Sequence, residues 1–384
     1  MYKIQTLNKI AECGLKKFGS NYEIGDNVQN PDGIILRSFN MHEMEIPESV
    51  LGVARAGAGV NNIPVDACAE KGIVVFNTPG ANANAVKELT ICALLLASRK
   101  IAQGIDWAKT LTGDDVDKQV EKGKSQFVGP EISGKTLGVV GLGAIGVLVA
   151  NAAEKLGMEV IGYDPYLSIE AAWDLSSKVC KASSLDEIYA NCDYITMHLP
   201  LLPATKDMIN AEAIEKMKDG VRIVNLARGG LVNTPDIIAA TESGKVASYV
   251  ADFITGELVG KDNIIAIPHL GASTPESEDN CAMMAAEELR EYIEKGNIIN
   301  SVNFPKCESE ITSAKRVCII HKNKPNMISQ FSSALASEGI NIDHFLNKSK
   351  GDNAYTMIDT EVVIESAIEK IKAIDGVIRL RVIG

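Results

Sequence analysis

Apolar residues along this chain follow two rhythms: short unbroken runs, and longer stretches in which they recur every three or four positions. The first rhythm predicts buried strands and the second predicts helices. Residues 33–37 and 72–77 are apolar and β-branched and read as strands, while 88–97 reads as an apolar helix. A polar, lysine-rich stretch, 109–134, interrupts the pattern. From Lys135 it resumes, with strands predicted at 136–140, 160–163, 194–197, 222–226, 248–251 and 264–267 and helices between them, up to Pro268. Such alternation implies parallel sheets joined by right-handed crossovers. A long amphipathic helix is predicted over 274–295, and 301–314, with Pro305 and little periodicity, reads as a linker. The last seventy residues change cadence to strand 317–320, helix 325–338, strands 340–345 and 354–358, helix 364–373 and strand 377–382, a small βαββαβ domain of α+β type.

The chain has 384 residues, enough for two or three domains, and 46% hydrophobic with 23% charged residues is ordinary for a soluble globular protein. No stretch nears the roughly 18 apolar residues that cross a bilayer. The first fifteen residues lack a basic end followed by an apolar core and a small-residue cleavage site, so a cytoplasmic location without a membrane partner is expected. Cysteines 13, 68, 92, 180, 192, 281, 307 and 318 are scattered with no C-x-x-C pair, which suits reduced thiols and argues for no metal site. A formal net charge of −12 argues against nucleic acid as a partner. It also means that an anionic substrate would need a local cluster of cations or backbone amides.

Gly141-Leu142-Gly143-Ala144-Ile145-Gly146 is a G-x-G-x-x-G that follows a predicted strand and opens a predicted helix. By itself the motif could be any glycine-rich turn. Here the next strand ends at Asp164, at the distance where an acidic residue meets the adenosine ribose of a dinucleotide. Gly141 permits the tight turn, Gly143 lets backbone approach the pyrophosphate, and Gly146 lets helix pack closely on strand. The amides at the helix start, Ala144 and Ile145 among them, offer donors to phosphate. Asp164 would accept from both ribose hydroxyls and repel a 2′-phosphate, so NAD is expected as the cofactor rather than NADP.

Ligands of open α/β sheets sit beyond the carboxyl ends of the strands. Successive predicted strands here end in Asp164, then His198-Leu199-Pro200, then Ala227-Arg228, then Asp252 with Glu257, then His269. His198, Pro200, Ala227 and Asp252 are candidates for lining the cofactor. Oxidation of a 2-hydroxy acid needs a base for the hydroxyl proton while hydride leaves the same carbon. His269 suits that role because histidine changes charge near neutrality. Glu257 is the carboxylate expected to orient the ring, and Arg228 can hold the substrate carboxylate in a bidentate fork. Taken singly, each has a plainer alternative, such as a packed histidine or a surface ion pair. Their shared placement at one sheet edge favours a site.

These segments, together with Asn77-Thr78-Pro79-Gly80 and Pro268-His269-Leu270-Gly271-Ala272-Ser273-Thr274, resemble the D-isomer-specific 2-hydroxyacid dehydrogenases. The resemblance spans nearly the whole chain. It implies two Rossmann-like, doubly wound parallel-sheet domains. The substrate domain is discontinuous (1–98 and 273–305) around an NAD-binding domain (99–272), with a linker (306–314) and a C-terminal ACT domain (315–384) after it. It implies Arg228, Glu257 and His269 as the catalytic trio, and 3-phosphoglycerate with 3-phosphohydroxypyruvate as the substrate pair. The stretch 53–62 resembles the family's substrate loop, so Arg55, Ala56 and Gly57 are expected at the substrate. Lys87 stands where many relatives carry a small residue, and is a candidate second phosphate anchor. His321, Asn323 and Asn341 match the ligand positions of serine-inhibited members, which implies L-serine as an effector held between paired tail domains of a homodimer or homotetramer. Two departures stand out: Leu258 occupies a position usually held by proline, and the stretch from Glu257 to His269 is short. A reductase of glyoxylate, hydroxypyruvate or lactate type, and an NAD-sensing binding protein, are the alternative readings.

Overall fold

The computed structural model describes all 384 residues. They divide into two compact units, Met1–Asn82 with Pro275–Gly384, and Ala83–Thr274. The division places the helix Ala83–Ser98 in the second unit, although the expected boundary lay at its far end.

In the first unit, β1 (Tyr2–Leu7), β2 (Tyr22–Gly25), β3 (Gly33–Leu36), β4 (Gly52–Arg55) and β5 (Val74–Phe76) form a parallel sheet ordered β2-β1-β3-β4-β5. The helix Pro275–Lys295 buries Ala282, Ala285, Ala286, Leu289, Tyr292 and Ile293 against this sheet and its surroundings. Their three- and four-residue spacing is what a single helix face requires. Glu276 and Glu278 sit in its first turn, where acidic side chains complement the helix dipole.

In the second unit, β6 (Thr136–Val140), β7 (Glu159–Tyr163), β8 (Cys180–Lys181), β9 (Tyr194–Met197), β10 (Val221–Asn225), β11 (Val246–Ala251) and β12 (Ile264–Ala266) form a parallel sheet ordered β12-β11-β10-β9-β6-β7-β8. The order reverses between β6 and β9, whose register pairs Leu137 with Tyr194 and Val140 with Met197. The helix Ala83–Ser98 packs Ala93, Leu94 and Ala97 into this unit's core, and Arg222 Nε donates to Ala97 O near its end. The lysine-rich stretch contains the helix Val116–Gly123, which buries no residue.

At the end of the chain, and within the first unit, β13 (Lys315–Lys322), β14 (His344–Lys350), β15 (Asn353–Thr360) and β16 (Val377–Ile383) make an antiparallel sheet ordered β14-β15-β13-β16. Alternate residues of β13 serve two cores. Val317 and Ile319 face the helices Met327–Ala336 and Glu365–Lys372, while Cys318 and Ile320 join Leu289 and Tyr292 of the long helix. Strand β14 lies later than the predicted 340–345. Ile340 and Ile342 gave an apolar signal there because they pack beneath the sheet from a loop, whereas the strand itself is a polar edge. The expected linker is pinned rather than free. Arg316, fully buried, donates to Ser309 O, Glu310 O and Lys295 O and pairs with the buried Asp359 at 2.6 Å. Removing one partner of such a pair costs roughly 3–5 kcal/mol, because the other charge is left buried and alone.

Candidate active site

All strands of the seven-stranded sheet run parallel, so their carboxyl ends share one edge, and sheet order sets the order of the groups along it. Asp164 follows β7, the glycine turn follows β6, His198 follows β9, Arg228 follows β10, Asp252 follows β11 and His269 follows β12. Residues far apart in the chain thus become neighbours.

The glycine turn is shaped for a dinucleotide. Gly141 has φ of 91°, a left-handed conformation that disfavours any side chain, and its N–H donates to Tyr163 O. A Cβ on Gly146 would lie 1.9 Å from Gly141 O, so only glycine lets the helix Ala144–Lys155 start this close to its strand. Around Gly143 nothing lies within 4 Å of where a Cβ would stand. The turn is therefore open at the point where backbone must meet a pyrophosphate, and Ala144 beside it is exposed with Ile145 half-buried. The unpaired amides of a helix start complete an anion cradle. Asp164 Oδ2 accepts from Leu142 N at 2.8 Å and Oδ1 from Tyr166 N, which fixes the carboxylate beside the turn. The residues present fit NAD.

The segment after β9 packs on the same turn, since a Cβ on Gly141 would meet His198 O at 2.6 Å. His198 Nε2 lies 3.2 Å from Thr196 Oγ1, and burial lowers the ring's pKa to about 4, so the ring is neutral. Pro200, two residues on, is exposed.

The Arg228 loop is organised by a residue that the sequence pattern did not single out. Asn225, fully buried at the end of β10, donates from Nδ2 to Arg228 O at 2.8 Å and accepts at Oδ1 from Ala227 N and Arg228 N. Arg228 is exposed, and its Nη1 donates to Ala227 O.

His269 Nδ1 lies 2.9 Å from Asp252 Oδ2. The ring is more than half exposed while the Asp252 side chain is fully buried. Burial holds the Asp252 carboxyl above the usual carboxylate range, and the charges of His269 and Arg228 pull in the opposite direction. The histidine therefore has a carboxylate partner, but it is Asp252. Glu257 is exposed and makes no ion pair. Leu258 beside it is buried in the unit's core, which accounts for an apolar residue at that departure from the family pattern. Phe253, also not singled out, sets its ring 4.6 Å from the His269 ring.

The remaining candidates lie elsewhere. Arg55 ends β4 in the first unit, where its Nε donates to Arg37 O and its Nη1 to Gly59 O, bracing the loop that carries Ala56 and Gly57. Lys87 lies in the second unit on the helix Ala83–Ser98, with Nζ 3.6 Å from Glu88 Oε1. In the antiparallel sheet, His321 and Asn323 line a cavity of about 490 Å³ with Lys324, Ser329 and Asn347. His321 is buried, with Nδ1 2.8 Å from Lys322 O and Nε2 2.9 Å from Thr356 Oγ1 and 3.2 Å from Asn347 Oδ1. Asn341 is not part of that cavity and donates to Asp343.

A doubly wound sheet with a dinucleotide turn and an acid–base pair on one edge defines a nucleotide-dependent oxidoreductase fold. Residues 91–271 match the family described as D-isomer specific 2-hydroxyacid dehydrogenase, NAD binding domain. The chain is 34% identical over 325 residues to a D-3-phosphoglycerate dehydrogenase of Synechocystis, covering 82% of this chain and 56% of that one. It is 36% identical over 293 residues to the human protein of the same name, covering 74% and 53%. Among solved structures it is similar to NAD+-bound 3-phosphoglycerate dehydrogenase of Entamoeba histolytica, with 27% identity, TM-score 0.59, and coverage of 79% of this chain and 98% of that one. It is also similar to a glyoxylate reductase of Paecilomyes thermophila, with 26% identity, TM-score 0.64, and coverage of 78% and 98%. Residues 91–271 carry the NAD-binding domain of the D-isomer-specific 2-hydroxyacid dehydrogenases. The chain spans just over half the length of the curated relatives it matches.

Proposed function

We propose that this protein uses NAD to oxidise 3-phosphoglycerate to 3-phosphohydroxypyruvate, the reaction that opens L-serine synthesis. The observation that carries the reading is the approach of His269 to a buried carboxyl, on the same edge as Arg228 and the glycine turn. NAD, when bound, supplies the acceptor for the hydride that leaves C2. His269 takes the C2 hydroxyl proton. Its Nδ1 faces Asp252, which leaves Nε2 as the accepting nitrogen, and Asp252 offsets the charge that the ring acquires. In reduction the same ring returns the proton. Arg228 holds the substrate carboxylate and polarises the C2 oxygen. Glu257, exposed and unpaired, is assigned as a second carboxylate for the ring. Arg55, Lys87 and the backbone near Ala56 and Gly57 are assigned to the substrate's anionic groups. The names of the relatives support the phosphorylated substrate.

An NADH-oxidation panel tests the reading. Phosphohydroxypyruvate should be reduced with a far higher kcat/KM than glyoxylate, hydroxypyruvate or pyruvate. A preference for an unphosphorylated acid would replace it with the glyoxylate or lactate type, and no turnover with any of them would leave an NAD-binding module. The βαββαβ tail is assigned as an ACT domain that binds L-serine through His321 and Asn323 of one copy and Asn341 of another, in a homodimer or homotetramer. The polar cavity beside His321 and the separate location of Asn341 support this. Serine added to the assay should lower the rate; a flat response would make the tail purely structural.

A further inference from the structure

We propose that Asn225 is a positioning residue for the reaction, one that sets the direction of Arg228; the inference rests on the reading just given. Three polar contacts converge on this side chain. Nδ2 donates to Arg228 O at 2.8 Å, and Oδ1 accepts from Ala227 N at 3.2 Å and Arg228 N at 3.4 Å. The amide is fully buried at the end of β10, in a strand whose register is fixed on both sides by β9 and β11. It therefore transmits the position of the sheet to the first loop residues beyond it.

Beyond Asn225, the backbone of Arg228 has one further bond, from Leu231 N to Arg228 O at 3.3 Å. The Arg228 guanidinium is exposed, and its hydrogen bond to protein is to its own neighbour, Ala227 O. Gly229 lies beside Phe253, where an added Cβ would come within 3.1 Å, so the turn has no room for a side chain at that position. Asn225 grips the backbone of residue 228 at both its N–H and its C=O, and it is the side chain that ties this residue to the end of β10. An arginine that must meet a planar carboxylate with two parallel hydrogen bonds needs its origin fixed, because an error of about 1 Å there can cost on the order of 10²-fold in rate. Asn225 never touches substrate. Its effect passes through Arg228.

That dependence gives the test. Activity of the wild-type protein on the 2-oxo acid panel comes first, since its absence would overturn the reading and this inference with it, whereas activity with an unaffected variant would overturn the inference alone. In Asn225→Ala, KM for the preferred oxo acid should rise and kcat/KM should fall by about 10–100-fold, while the NADH dissociation constant from fluorescence quenching stays within about twofold. Against an Arg228→Lys background the same substitution should cost less than about threefold, because two residues acting through one contact are not additive. Asn225→Ser, which keeps a short polar group able to accept from the Ala227 or Arg228 amide but cannot span N–H and C=O together, is the second variant if the alanine one does not fold, and should show the same split between oxo acid and NADH. Equal losses in both backgrounds, or NADH affinity falling in parallel with the oxo acid, would overturn the proposal.

Discussion

His269, at the carboxyl edge of the parallel sheet, and His321, in the antiparallel sheet, place the same side chain in opposite surroundings. His269 is more than half exposed and has a buried carboxyl 2.9 Å from Nδ1. His321 is 2% exposed, and everything within hydrogen-bond reach of it is neutral: the carbonyl of Lys322, the amide of Asn347 and the hydroxyl of Thr356. Burial lowers its pKa, and Phe331 meets its ring edge-on at 5.0 Å. The first ring faces a carboxyl group. The second is kept neutral, with fixed donor and acceptor roles. The first arrangement fits the proton transfer proposed for His269 and the second the recognition proposed for His321, and the partners differ in their capacity for charge.

The comparison can be broken at either end, and the largest effect belongs to the exposed ring. His269→Ala should lower kcat for oxo-acid reduction by about 10²–10⁴-fold, the usual worth of a general acid or base, with the melting temperature little changed. A loss under tenfold would remove His269 from proton transfer. Replacing the counter-charge comes next. Asp252→Asn should cost at least about tenfold in kcat, but less than the loss of the ring itself. It should also stabilise the fold. The folded-state pKa of Asp252 is raised by burial, so the native state resists losing this proton. The stability this group confers is complete below its ordinary pKa of 3.8 and is lost as pH rises through the folded value. At pH 7.5 the asparagine variant escapes that cost, and its melting temperature should exceed wild type by about 2–4 °C. A less stable and less active variant would mean that Asp252 is merely structural.

The sequence and the structure disagree most usefully at this pair. Asp252 and Glu257 both precede His269 on the ends of predicted strands, and periodicity cannot say which carboxyl reaches the ring. The choice depends on β11 and β12 being adjacent, with Tyr249 beside Ile264 and Ala251 beside Ala266. The parallel strands of the second unit were legible because most are dominated by apolar, buried positions; β9 is buried at every position. In the first unit, β1 carries the sequence YKIQTL with only alternate residues buried, and the short β2 reads YEIG, so both escape a pattern of unbroken apolar runs. They form because the helix Pro275–Lys295 covers their sheet from more than two hundred residues away. Asn225 escaped for a different reason. A buried asparagine at a strand end has no signature until the backbone it grips is known.

A swap made in the other direction sharpens the comparison further. Asn347→Asp would place a carboxylate on His321 Nε2 at the site of the present 3.2 Å contact. The ring's pKa should rise by on the order of one unit or more, read from its imidazole proton shifts, as expected for an opposite charge within 4–6 Å. A ring that still resists protonation would mean that burial, and not the partner, decides its state.

The smallest effect is the pH dependence that His321 already contributes. Its folded-state pKa lies below the ordinary 6.5 because burial disfavours the charged ring. Between 6.5 and that lower value the unfolded chain binds a proton that the native state refuses, so stability rises with pH in this window and is lost on acidification. His321→Gln cannot titrate. Between pH 7.5 and pH 5.5 its melting temperature should fall less than that of wild type, by roughly 1–3 °C, although its absolute stability is lower at both. His198, whose pKa is lowered to about 4, adds a slope of the same sign to both proteins and cancels in the difference. Parallel curves would show that the neutral state of His321 contributes nothing to the fold, and the contrast with His269 would then concern exposure alone.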